Sequence, residues 1–241
     1  MNADDQKKAA AVRALDYVKP GMKLGLGTGS TAEHFVRALG EKVKQGLDVV
    51  CVPTSERTGQ LAESLGISLT NLDDTPHLDI TVDGADELDR ELRLIKGGGG
   101  ALLREKIVAT ASEKMIVIAD ASKLVKTLGA FPLPVEVIPF GASVTARKIA
   151  EVASAFGCTG RMSRRADEYG EPCLPDSENS LYDCASAEIP DPDGLPPALN
   201  PLAALVDTGV LTATPAFALL RPSPAPRVPR PSHTPPPPPI P

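Results

Sequence analysis

Several stretches of this chain carry residue types and spacings that could do chemistry. Gly25-Leu26-Gly27-Thr28-Gly29-Ser30-Thr31 offers backbone N–H groups, hydroxyls and a helix N-terminus, a set suited to one phosphate. Its glycines fall at i, i+2 and i+4, so it is neither the dinucleotide fingerprint nor a P-loop. A tight turn with a Ser/Thr cap is the competing reading. Asp83-Gly84-Ala85-Asp86-Glu87 places two carboxylates three residues apart directly after an apolar run. They suit acid/base work or sugar hydroxyls, and equally an Asp turn with a helix cap. Lys96 precedes Gly97, Gly98, Gly99 and Gly100. Four glycines lose much entropy on ordering, so their use is close backbone approach to a ligand beside a fixed cation, or else a flexible loop. Arg104-Glu105-Lys106, one turn into the helix after those glycines, reads as a solvated charged face, the usual outcome for a lone Glu. Lys123, in Asp120-Ala121-Ser122-Lys123, reaches a phosphate or stays at the surface.

Together these make a phosphate cradle, two carboxylates, a lysine at a glycine nest and a glutamate. The set contains no metal-ligand cluster, cofactor motif or activated nucleophile. It suits proton abstraction alpha to a carbonyl on a small phosphorylated sugar, with the enediolate held by charge and N–H dipoles.

Such groups need a scaffold that brings them to one edge. Residues 3–18 read as a helix with Ala11, Leu15 and Val18 on one side, stopped by Pro20-Gly21. Met22 to Leu26 reads as a buried strand. Ser30 or Thr31 can cap the next helix, with Phe35, Val36 and Leu39 as its apolar face. Val49 to Val52 is a strand, and Ser55 caps a helix that ends at Gly66. Strands follow at Leu78 to Val82 and Arg93 to Ile95. A helix spans Ala101 to Ser112, with Leu103, Ile107 and Ala111 on one line, and Met115 to Ala119 is a buried strand. Repeated strand–turn–helix units of this length imply a doubly wound, mostly parallel sheet, with ligands beyond the strand C-termini.

The pattern changes beyond Lys126. Phe131-Pro132-Leu133-Pro134 reads as a linker, Val135 to Ile138 as a strand, and Val144 to Phe156 as an amphipathic helix. Residues 158–184 suggest short antiparallel strands, and prolines interrupt 191–199. A smaller α+β unit is expected here. After Thr214 no periodicity survives.

Composition narrows the function classes. The chain has 241 residues, 42% hydrophobic and 23% charged, and a net charge of −6. That charge, without a basic run, argues against nucleic acid. No apolar stretch spans a membrane and no signal peptide opens the chain, so a cytoplasmic protein is expected. Cys51, Cys158, Cys173 and Cys184 are widely spaced, so reduced, packed thiols are expected rather than zinc or a redox pair. His34, His77 and His233 are isolated. Of 25 prolines, 11 lie within Pro222 to Pro241, a biased tail on a globular body.

The chain resembles type A ribose-5-phosphate isomerase. The resemblance is carried by GLGTGSTAEHFV (25–36), VPTSERT (52–58), TVDGADELD (81–89), LIKGGGGALLREKIVA (94–109), IADASKLV (118–125) and FPLPVEVIPF (131–140). It runs from about residue 5 to about residue 210. It implies interconversion of D-ribose 5-phosphate and D-ribulose 5-phosphate through a cis-enediolate, in the non-oxidative pentose phosphate pathway, without metal or cofactor. Glu105 is then the base, and Asp83 and Asp86 assist ring opening and proton traffic. Lys96 stabilises the enediolate with the backbone of Gly97, Gly98 and Gly99. Thr28, Gly29, Ser30, Thr31, Gly84, Ala85, Lys123 and Lys7 hold the substrate, chiefly its phosphate. The implied fold is a Rossmann-like α/β domain (residues 1–130, with about 205–220 added) and a small ferredoxin-like α+β domain (131–204). Residues 221–241 form a Pro-rich tail expected to be disordered. A homodimer or tetramer is implied. Gly100 stands where the family often has Ala. The family's last strand, which rejoins the main sheet, is expected to be replaced here by Pro-rich sequence, because proline cannot donate to a ladder.

Overall fold

A computed structural model describes residues 2–212 and, for the backbone, 216–221. In chain order the helices are α1 (Ala3–Ala14), α2 (Ser30–Lys44), α3 (Glu56–Ser64), α4 (Leu102–Thr110), α5 (Ala142–Ala155) and α6 (Leu195–Leu199). The strands are β1 (Lys23–Leu26), β2 (Val50–Pro53), β3 (Ser68–Leu69), β4 (Ile80–Asp83), β5 (Glu87–Leu88), β6 (Leu94–Ile95) and β7 (Met115–Asp120). They continue with β8 (Leu133–Val137), β9 (Arg161–Arg164), β10 (Ser180–Ala185), β11 (Leu205–Thr208), β12 (Val210–Leu211) and β13 (Ala216–Arg221).

The large sheet has the order β13-β7-β4-β1-β2-β3, with every pairing parallel. Its two faces follow from strand alternation. Leu24, Leu26, Ile80, Val82, Ile116 and Ile118 join Phe35, Val36 and Leu39 of α2 and Ala10, Ala11 and Ala14 of α1 in one core. The intervening residues face α4. A Cβ on Gly25 would lie 2.6 Å from Val108, and the Thr81 hydroxyl is 2.6 Å from that of Ser112. Helices therefore cover both faces, as a doubly wound sheet requires.

The second unit is a four-stranded antiparallel sheet of order β11-β8-β10-β9, with α5 and α6 packed on it. Taken in chain order from β8, the strands run β-α-β-β-α-β with spatial order 4-1-3-2, the ferredoxin-like arrangement. A three-stranded sheet has the order β12-β6-β5: β5 and β6 come from the chain between β4 and β7, and β12 from the chain between β11 and β13.

Several expectations change. Leu133 and Pro134 are not linker but the start of β8. Residues 205–220 do not all go to the large sheet: β11 completes the small one and β12 pairs with β6. The expected loss of the last strand is overturned. Ala216–Arg221 runs parallel to β7 along its whole length, from Ala216 beside Met115 to Arg221 beside Asp120. Proline is confined to either side of this segment, at Pro215 and Pro222, so no ladder donor is missing within an edge strand. Of the tail 221–241 expected to be disordered, Arg221 instead ends β13, and residues 222–241 lie outside the described residues. Helix α1 ends at Ala14 and a 3₁₀ turn, Leu15–Tyr17, takes its place. On α4 the buried line is Leu102, Glu105, Val108 and Ala109, whereas Ile107 of the expected line is 48% exposed. The four cysteines are free thiols, with Cys51, Cys158 and Cys184 buried. Among the described residues, no helix is long and apolar enough to cross a membrane.

Candidate active site

The functional residues gather where β1, β4 and β7 end, the edge at which open parallel sheets bind ligands. A cleft of about 470 Å³, open to solvent, is walled by Lys7, Thr28 to Thr31, Gly84 to Asp86, Lys96 to Gly99, Glu105 and Lys123. Every residue to which the resemblance gives a role lies on this wall except Asp83, which is fully buried and paired with Lys96; Gly27, Gly100, Arg104 and Lys106 are not among the lining residues.

Local sequence explains the anion end. Beyond β1, Gly27 packs so closely on β4 that a Cβ there would sit 2.1 Å from Asp83 Oδ1. The Thr28 N–H donates to that same oxygen at 3.2 Å, and the Gly84 N–H at 2.7 Å. Gly29 then takes φ +113° and serves as N-cap of α2 without any side-chain cap. The expected capping by Ser30 or Thr31 does not occur. Both residues lie within the first turn and line the cleft instead. A helix N-terminus left without a cap favours an anion, through its first-turn N–H groups and its dipole. The Lys7 ammonium donates to the Ser30 hydroxyl at 3.0 Å, and Lys123 stands on the 3₁₀ turn that follows β7. Sequence reasoning missed the support beneath Thr28. Its hydroxyl is 2.7 Å from that of Thr54 and 2.8 Å from that of Ser55, and the Thr58 hydroxyl donates to the Gly27 carbonyl. Ser55 also caps α3, as expected. The cluster of hydroxyls in VPTSERT was the available signal.

The chemical end is a buried triad. The Lys96 ammonium donates to the Gly84 carbonyl at 2.6 Å, and lies 2.9 Å from Asp83 Oδ2 and 3.2 Å from Glu105 Oε1. Lys96, Asp83 and Glu105 are each less than 5% exposed. One ammonium serves two carboxylates, so one negative charge is uncompensated in a low-dielectric setting. Burial raises the Glu105 carboxyl to about 8, with Asp83 adding to the rise and Lys96 opposing it. Asp83 Oδ2 and Glu105 Oε2 both lack a hydrogen-bond partner, but Asp83 Oδ1 accepts two N–H groups, so Glu105 is the less satisfied of the two. Burial also raises Asp83, against the pull of Lys96 and two N–H donors. For Lys96, burial alone would favour the neutral amine, but Asp83 and Glu105 outweigh it and the ammonium is held charged. A carboxylate that exchanges a proton near neutrality, beside a fixed cation, is the arrangement a general base needs.

The glycine run is tied to its surroundings by hydrogen bonds, which favours the ligand-approach reading over a flexible loop. Gly97 adopts φ +100° and Gly100 φ +84°. The Gly98 N–H donates to Asp86 Oδ2 at 2.7 Å, and a Cβ on Gly98 would come within 2.5 Å of Asp86 Oδ1. No helix follows Asp86, because the chain passes directly into β5. The solvated-face reading of 104–106 also fails. Arg104 donates to Asp176 at 3.2 Å and Lys106 to Asp207 at 2.5 Å, so the cations on both sides of Glu105 are tied down. Among the described residues, no group of His, Cys, Asp and Glu is arranged to hold a metal ion.

The chain is similar to known proteins in sequence and in fold. Residues 50–221 fit the sequence profile of the family described as ribose 5-phosphate isomerase A (phosphoriboisomerase A). The ribose-5-phosphate isomerase A of Parvibaculum lavamentivorans is 80% identical over 220 residues, covering 91% of this chain and 95% of that protein. Its counterpart in Nitrobacter hamburgensis is 54% identical with the same coverage. Among solved structures, the ribose 5-phosphate isomerase of Plasmodium falciparum matches with a TM-score of 0.86 and 37% identity, covering 90% of this chain and 94% of that one. A D-ribose-5-phosphate isomerase in complex with phospho-erythronic acid matches with a TM-score of 0.83 and 36% identity, covering 92% and 96%. Sequence and fold agree over nearly the whole described length, and the chain belongs to the ribose-5-phosphate isomerase A family.

Proposed function

We propose that this chain interconverts D-ribose 5-phosphate and D-ribulose 5-phosphate by proton transfer at Glu105. This places it in the non-oxidative pentose phosphate pathway. The observation that carries the reading is the buried Glu105 carboxylate, 3.2 Å from the Lys96 ammonium, on the wall of a cleft whose other end is an uncapped helix N-terminus.

The substrate phosphate docks at the first turn of α2, against Gly29, Ser30 and Thr31, with Lys7 and Lys123 supplying charge. The sugar then extends over Gly84 and Ala85 toward Glu105. Asp86, at the cleft wall, assists ring opening and carries protons among the sugar oxygens. In the open-chain aldose, Glu105 removes the proton from C2, and the C–H electron pair forms the C1–C2 double bond as the carbonyl oxygen gains negative charge. Lys96 and the N–H groups of the glycine run stabilise that charge. Proton transfer from the C2 oxygen to the C1 oxygen and return of the proton from Glu105 to C1 give the ketose. Asp83 acts through Lys96, which it holds charged and in place. One relative was solved in complex with phospho-erythronic acid, a phosphorylated small molecule of the class this cleft would take. We propose further that the protein is cytoplasmic and works as a homodimer.

The test is a coupled assay for ribulose 5-phosphate formed from ribose 5-phosphate, with and without EDTA. Turnover that resists chelation supports the reading. Binding of the sugar phosphate without turnover would make the chain a binding module instead.

A further inference from the structure

The small sheet sends one side chain into the glycine run. Arg165, the residue after β9, donates from Nη1 to the carbonyls of Gly97 at 2.8 Å and Gly98 at 3.2 Å. Its other nitrogens, Nε and Nη2, grip the two carboxylate oxygens of Asp183 on β10. The guanidinium is 14% exposed. Burial alone would weaken its charge, but the Asp183 carboxylate outweighs that penalty.

The consequence follows from peptide geometry. In a trans peptide the C=O and the next N–H point in opposite directions. Holding the Gly97 carbonyl therefore aims the Gly98 N–H, which is the group that binds Asp86. Holding the Gly98 carbonyl likewise aims the Gly99 N–H, and Gly99 lies on the cleft wall. A cation on the carbonyl also polarises the amide and strengthens its N–H as a donor. Glycine would otherwise let these peptide planes rotate freely.

We propose that Arg165, locked by Asp183, is a positioning residue for the isomerisation: it fixes the two peptide planes whose N–H groups meet Asp86 and the developing enediolate. The ferredoxin-like unit thereby completes the catalytic loop of the other domain. This rests on the proposed isomerase reading, in which the glycine run stabilises charge only as the reaction proceeds.

The pattern expected is a loss in kcat rather than KM, because the oriented dipoles act on the transition state. The experiment measures kcat and KM for ribose 5-phosphate and the inhibition constant of inorganic phosphate in wild type, R165K, R165A and D183N. Wild-type turnover is the prior check; its absence defeats the isomerase reading and leaves the present one without a reaction to act on. Given turnover, R165A should lose on the order of 10²-fold in kcat, comparable to loss of an oxyanion donor. KM and phosphate inhibition should move less than about threefold, and millimolar guanidinium should restore part of the rate. R165K should lose at least about tenfold, since an ammonium cannot span Asp183 and two carbonyls. D183N should fall between R165K and wild type. If R165A fails to fold, R165K and D183N decide the matter. A wild-type kcat in R165K, or a loss that appears equally in phosphate inhibition, would overturn the assignment, since the first removes the need for the fork and the second signals a general structural defect.

Discussion

The Lys96 ammonium lies 3.2 Å from Glu105 and 2.9 Å from Asp83, and both carboxylates are buried. The three groups cannot all be charged without a net buried charge; burial raises both carboxyls, and Glu105 is the one that accepts fewer hydrogen bonds and so takes the proton at lower cost. The first prediction concerns that proton as chemistry. Glu105→Gln keeps the shape of the side chain and removes its basicity, so kcat should fall by roughly 10²–10⁴. Far-ultraviolet circular dichroism should stay unchanged. Near-normal turnover in this variant would remove Glu105 from its role.

The same group predicts a pH profile. Glu105 must be ionised in the free enzyme to accept the C2 proton, and burial raises it to about 8. The rate constant kcat/KM should therefore rise with pH through the neutral range and level off beyond about 8. A profile flat from pH 6 to 9 would contradict this placement of the base.

Stability follows the opposite course. Because the folded carboxyl holds its proton to a higher pH than the unfolded one, its contribution is fully present below the ordinary glutamate value of 4.5. It is lost as pH rises through about 8. Wild type should lose stability over this window relative to Glu105→Gln, whose amide does not titrate. Thermal melts should show the variant gaining on wild type from pH 5 to pH 8. Parallel curves would mean Glu105 is not the group that binds the proton.

Much of this site was legible in the chain, for a local reason. Gly27 and Gly29 come just after β1 and Asp83 ends β4, so strand–turn spacing places them at one edge of the large sheet, while Lys96 and Gly97 follow β6 of the three-stranded sheet. Glu105 was less legible. Its neighbours Arg104 and Lys106 look like a wet helix face until Asp176 and Asp207, 72 and 101 residues further on, fold back to clamp them. The apolar line Leu103, Ile107 and Ala111 suggested burial of the wrong face, because the actual inward line includes a charge. Arg165 was illegible for the same reason, since its partners are backbone carbonyls that no pattern marks. The last strand was misjudged because the prolines on either side of Ala216–Arg221 obscured a short run that contains none.

Lys96 separates electrostatics from shape. Lys96→Met keeps the volume but leaves Asp83 and Glu105 buried without a cation. The loss in kcat should be on the order of 10²–10³, the scale of a missing oxyanion donor. Lys96 is also what holds Glu105 down against burial. The rising limb of kcat/KM should therefore move to higher pH than in wild type. A lowered rate with an unmoved limb would place Lys96 in substrate binding alone.

Two glycines should respond in opposite ways to the same added methyl group. At Gly27 a Cβ would fall 2.1 Å from Asp83 Oδ1 and 2.6 Å from its backbone, so β1 and β4 would have to separate. Gly27→Ala should cost about 1–3 kcal/mol of stability, as overpacking does, and should impair kcat by displacing Asp83 from Lys96. At Gly99 the nearest atom to an added Cβ is the Thr28 methyl at 3.6 Å, an ordinary contact, and the backbone is not left-handed. Gly99→Ala should melt within about 0.5 kcal/mol of wild type. Its methyl group stands on the cleft wall, where the sugar must pass. The expected signature is a raised KM for ribose 5-phosphate in a fully folded protein. Denaturant melts paired with steady-state kinetics check both variants. A destabilised Gly99→Ala, or a fully active Gly27→Ala, would contradict this packing of the two loops.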